Sequence, residues 1–146
     1  MTSRFQPPPI IKASERLLVD IEKAVRAFPR YHRYAVGSDL RSKAMEVLTS
    51  AGRAWRDRAS QARLVGELVW KVDELKQYLQ VAQLLRAYSS FGQFELLVRQ
   101  AEELGAQAGG WLRRLNSPNA QNAQANGVAQ RGKKLSTRTA FAGAKS

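Results

Sequence analysis

The chain predicts an all-α fold: an antiparallel up-down four-helix bundle with a disordered basic C-terminal tail. Three observations carry that prediction. Apolar residues recur at three- and four-residue spacing in four successive stretches. No stretch sustains the alternation of a strand, and the connections between stretches are short enough to return each helix antiparallel to the last. The bundle occupies residues 10–115, a flexible lead residues 1–9, and the tail residues 116–146.

The first helix begins at Ile10 and carries Leu17, Leu18, Ile21, Val25 and Phe28 on one face, with the small Ser14 among them. Pro29 biases Phe28 away from helical dihedrals, so this helix should stop near Ala27. Proline is also favoured at the first position of a helix, where its missing N–H has no intrahelical partner. The second helix is therefore expected from Pro29 to about Arg56. Its apolar face is Val36, Leu40, Ala44, Val47, Leu48, Ala51 and Trp55. Arg33 falls within the same sector, where it either snorkels out of the first turn or serves a ligand or partner. Gly37 and Gly52 each cost roughly 1 kcal/mol against alanine in a helix interior, and mark places where a neighbouring helix comes close.

Asp57 or Ser60 can cap a third helix that runs to about Tyr88, with a core stripe of Leu64, Leu68, Val72, Leu75, Leu79 and Ala82. Roughly opposite lies a second apolar stripe, Trp70, Val81, Leu84 and Tyr88, joined by Gln77. A bundle helix needs one apolar face, so this second stripe requires a cover. Self-association is the expectation and burial under the tail or a loop the alternative, which makes these four residues the candidate oligomer interface. Ser90 followed by Gln93 reads as a capping box opening the fourth helix. That helix uses Phe94, Leu97, Val98, Ala101, Leu104, Ala108, Leu112 and Leu115 before Asn116-Ser117-Pro118 ends it. Beyond Asn116 the chain is rich in Asn, Gln, Ala and Gly, then basic, with too little apolar content for a core.

Net charge is +12, from 24 basic and 12 acidic residues, and the pI is near 10.7. An imbalance of this size speaks of a polyanionic partner. Cysteine is absent, which fits a reducing compartment, and neither a signal peptide nor a membrane span is visible; a cytoplasmic protein is expected. His32, the one histidine, cannot build a zinc site alone. Asp73-Glu74 and Glu102-Glu103 are adjacent on helices and diverge. With no phosphate loop and no triad geometry to argue for, no catalytic residue, cofactor or metal is expected.

The positive signal is the distribution of arginine. Between Arg26 and Arg58 eight basic residues face only Asp39, Glu46 and Asp57. Arg30, Arg33, Arg41, Lys43, Arg53 and Arg56 are the candidates for polyanion contact, with Lys43, Arg53 and Arg56 turned from the apolar face. Tyr31 and Tyr34 could stack on unpaired bases.

Phe28-Pro29-Arg30, then Arg33-Tyr34-Ala35-Val36-Gly37 and Leu40, with Leu104-Gly105 and Gly109-Gly110-Trp111-Leu112, resembles the accessory variability determinant (Avd) proteins of diversity-generating retroelements. The resemblance covers about residues 10–115. Avd's broader relatives are four-helix bundles of the type encoded in intervening sequences of bacterial 23S rRNA genes. The chain departs from the family pattern at Val36, where leucine is usual, and at Ala106 and Gln80, where basic residues are common. The resemblance implies a basic homopentamer that binds the element's reverse transcriptase and its template-repeat RNA and supports mutagenic cDNA synthesis. On that reading the six basic candidates contact nucleic acid or the polymerase. The alternative is an interaction or scaffold protein of the intervening-sequence type that binds no nucleic acid.

Overall fold

The computed structural model describes residues 6–117. Five helices are present: α1 (Pro9–Arg26), α2 (Arg30–Arg33), α3 (Val36–Arg56), α4 (Gln61–Leu84) and α5 (Phe91–Leu115). The four long ones form the expected antiparallel bundle, and α2 is a single turn at one corner. Residues up to Leu112 make up the bundle, and of the second unit, which begins at Arg113, only Arg113–Ser117 are described. The expected disorder of the tail, and of the lead before Gln6, concerns residues outside the described ones.

The antiparallel register can be read from side-chain pairs whose residue numbers rise on one helix as they fall on the next. Glu22 of α1 meets Arg41 of α3, while Val25 lies against Gly37. Lys43 of α3 meets Glu74 of α4, and Glu46 meets Lys71. Gln100 of α5 donates to Asp20 of α1 at 2.8 Å, which closes the ring of helices. The core inside it includes Leu17, Ile21, Leu40, Val47, Leu68, Leu75, Leu79, Leu97 and Leu104. Ser14, the one buried polar residue among those described, donates its hydroxyl to the Ile10 carbonyl at 2.8 Å and is thereby satisfied.

Two boundaries differ from expectation. The helix expected from Pro29 is interrupted: Ala35 leaves helical dihedrals (φ −113°, ψ −98°), and Pro29 stands before α2, with ψ 149°. The interruption lets Phe28 go to the core while α3 starts flush against α1. A Cβ on Gly37 would lie 2.6 Å from Val25 Cγ1 and 3.1 Å from the His32 carbonyl oxygen. Gly37 thus marks the expected close approach, whereas Gly52 has open space around it and does not.

The third expected helix also ends early. α4 stops at Leu84, and Arg86 adopts φ 58°. The Ala87 N–H donates back to the Ala82 carbonyl at 3.0 Å and the Arg86 N–H to the Gln83 carbonyl at 2.9 Å, the paired bonds of a Schellman motif. Ala82 and Ala87, the two residues joined by the longer bond, are both fully buried. Finally, the α3–α4 connection uses Asp57 rather than Ser60 as its side-chain acceptor: Ser60 N–H donates to Asp57 Oδ1 at 3.2 Å. At the start of α5 the Gln93 N–H donates to Ser90 Oγ at 3.1 Å, as a capping box requires, while the Gln93 side chain reaches back to Ser89.

Candidate nucleic-acid interface

The bundle has two ends, and four of the six basic candidates divide between them. Arg30 and Arg33 sit at the corner where α1, α2 and α3 meet. Arg53 and Arg56 lie twenty residues further on, about 30 Å along α3 at 1.5 Å per residue. No single small ligand spans both.

Arg30, Arg53 and Arg56 are exposed and make no ion pair among the described residues. Arg56 lies over the Trp55 ring at 5.7 Å, which steadies its stem while leaving the cation at the surface. Arg41 and Lys43 are engaged inside the protein. Arg41 Nε donates to Glu22 Oε1 at 2.7 Å. Lys43 reaches Glu74 at 3.4 Å and Glu46 at 3.8 Å and lies 5.3 Å from the centre of the Tyr78 ring. Desolvation works against its charged form, but the two carboxylates and Tyr78 outweigh it and hold its pKa above the ordinary lysine value. Both residues tie α3 to its neighbours before they offer anything to a partner.

Arg33 is intermediate. Its Nη2 makes one long bond, 3.4 Å, to the Phe28 carbonyl, its Nε is buried without a partner, and its guanidinium lies 5.9 Å from the Tyr34 ring centre. Beside it Tyr31 and Tyr34 project outward, 80% and 69% exposed. The corner is braced from below: Phe28 meets Tyr88 edge to face at 5.2 Å, and Tyr88 meets Phe94 at 5.5 Å. The chain between α4 and α5 therefore shares this end of the bundle. It brings Arg86 there, between Leu84 at the end of α4 and Phe91 at the start of α5, all three exposed; of these the sequence singles out only Leu84, as a candidate interface residue. Nothing in the local sequence signals that Arg86 occupies a helix terminus, because the residue holding the left-handed position is not glycine.

Of the four candidate interface residues, Trp70 and Leu84 are 71% exposed and Val81 is also exposed. Tyr88 departs from them. Because α4 ends at Leu84, Tyr88 turns inward, where its hydroxyl donates to the Leu79 carbonyl at 2.9 Å. Burial pushes its phenol well above the ordinary tyrosine value.

Among the described residues no group of His, Asp and Glu is arranged to hold a metal ion, and no helix is long and apolar enough to cross a membrane. Comparison with protein-family models, with curated proteins and with solved structures finds no match to this chain.

Proposed function

We propose that this protein is a non-catalytic accessory subunit of a diversity-generating retroelement, binding its reverse transcriptase and template RNA. The observation that supports nucleic-acid binding best is the set of exposed arginines at both ends of the bundle that no carboxylate neutralises, Arg30 and Arg86 at one and Arg53 and Arg56 at the other. Glu22, Glu46 and Glu74 are instead spent within the bundle, on Arg41, Lys43 and Lys71. The retroelement assignment rests on the motif resemblance at Phe28–Leu40 and Leu104–Leu112. Binding through phosphate contacts releases counterions, so affinity should fall steeply with salt.

The test is a salt titration of binding between the full chain and template-repeat RNA, with the reverse transcriptase of the same element added last. Arg53→Glu with Arg56→Glu should weaken RNA binding while leaving helix content intact, since both side chains are exposed at the end of α3. Unchanged affinity in that variant removes this end of α3 from the interface; absence of both RNA and polymerase binding removes the reading. The second reading, a scaffold protein without nucleic acid, is favoured by the exposed stripe of Trp70, Val81 and Leu84. A neighbouring reverse-transcriptase gene with two near-identical repeats separates the first reading from an rRNA intervening sequence.

A further inference from the structure

We infer that the two ends of the bundle take different parts of a nucleic acid, and that the end built by α2 and the α4–α5 turn is a site for unpaired bases. The inference rests on the nucleic-acid-binding reading above and assigns the site within it.

The physical argument starts from what lies exposed there. Tyr31 and Tyr34 are three residues apart, on and just after a single helical turn, and so point to neighbouring positions. Both rings are mostly in solvent. Tyr34 has the Arg33 cation over one face, so its other face is available for stacking. A duplex hides its base faces, and only an unpaired base can use such rings. Charge agrees with this. Neither residues 26–34 nor residues 84–91, the two segments joined by the Phe28–Tyr88 contact, contain a carboxylate, and both contribute exposed arginines, Arg30 and Arg86. The nearest acids along the chain are Glu22, which is taken up by Arg41, and Asp39 and Glu95, one turn into α3 and α5. Arg33 supplies the most specific sign. Its fork of donors makes one long internal bond and leaves a buried Nε without an acceptor. A phosphate drawn to this corner would meet the charge of that guanidinium, although its Nε is shut from solvent. The far end has Arg53 and Arg56 but a different aromatic arrangement: Trp55 is half-buried and carries Arg56 on its ring. It suits phosphate contact without base stacking.

The experiment measures the affinity of the full chain for a short unstructured RNA and for a hairpin duplex of equal charge, by fluorescence anisotropy at several salt concentrations. Tyr31→Ala with Tyr34→Ala should weaken single-strand binding roughly tenfold or more, with duplex affinity and salt slope unchanged. Arg30→Gln with Arg86→Gln should weaken single-strand binding and lower its salt slope by roughly one to two. Arg53→Gln with Arg56→Gln should weaken both RNAs alike. All of these side chains are exposed, and a melting curve confirms that each variant is folded. Equal loss of both RNAs in the tyrosine variant overturns the inference while leaving RNA binding intact. So does loss of polymerase association with RNA affinity retained, which would make this end a protein-docking surface. Wild-type protein that binds neither RNA overturns the underlying reading itself.

Discussion

At the residue scale, the two helical glycines that look alike in sequence have opposite surroundings. Gly37 is pressed against Val25 and the His32 carbonyl, and the backbone oxygen at 3.1 Å cannot rotate away as a side chain would. Gly37→Ala should therefore destabilise by about 1–3 kcal/mol, the range for overpacking, even after alanine's better helix propensity is counted. Gly52 meets nothing within 4 Å, so Gly52→Ala should stabilise by about 0.5–1 kcal/mol. Urea midpoints moving in opposite directions for the two variants would establish the contrast; a shared direction would contradict it. Tyr88 yields a second residue-level prediction. Its hydroxyl bond to Leu79 is worth about 1 kcal/mol at neutral pH, so Tyr88→Phe should cost that much. Burial keeps the folded phenol protonated above its ordinary value of 10.0. The unfolded chain ionises first, so this stability is whole below about pH 10 and is lost as pH rises from there towards the folded value. The wild-type advantage over Tyr88→Phe should accordingly hold constant up to about pH 9 and shrink as pH rises past about 10, measured by denaturant unfolding. A gap that stays constant would mean the phenol is not held neutral by burial.

At the scale of elements, the end of α4 governs what the corner presents. Arg86 holds the left-handed position of a Schellman motif that glycine normally fills, at a cost of about 1 kcal/mol. Arg86→Gly should raise the melting temperature by about 4 °C while preserving the fold, and calorimetry would read it. A lowered melting temperature would show that the arginine side chain contributes more than its backbone strain removes. The helices themselves were legible because their apolar spacing is long and regular: the α1 face and the first stripe of α4 are buried as the periodicity requires. Their ends were less so. Nothing in Arg86 announces a left-handed residue, so the sequence predicts a helix about four residues longer than α4, with Tyr88 on its outer face. Likewise, Pro29 permits a helix start but does not reveal the break at Ala35, which depends on how α3 must meet α1. The candidate site was legible in composition and not in arrangement. Arg41 and Lys43 look free along the sequence, and only the fold brings Glu22 and Glu74 to them.

At the scale of the whole molecule, the exposed apolar stripe lies along the side of α4 and reaches the basic end only at Leu84. Arginine dominates the two ends, while Trp70, Val81 and Leu84 run for about 21 Å along the side of α4 at 1.5 Å per residue. A stripe of that length on one helix is shaped for another helix, and a second copy seated on it would leave the end with Arg53 and Arg56 open to a polyanion. Self-association through α4 then makes a definite prediction about mass. Each protomer is 16.3 kDa, and the pentamer implied by the family resemblance would be about 80 kDa. Light scattering should find a multiple of the protomer mass for the wild type, and Trp70→Glu with Leu84→Glu should reduce it to one protomer with unchanged helix content. Both substituted side chains lie outside the core, so loss of mass could not be attributed to unfolding. A wild-type oligomer that survives the double substitution would place its interface elsewhere. A wild-type protein of one protomer mass would leave the stripe to a different chain, with the reverse transcriptase the first to test by repeating the measurement in its presence.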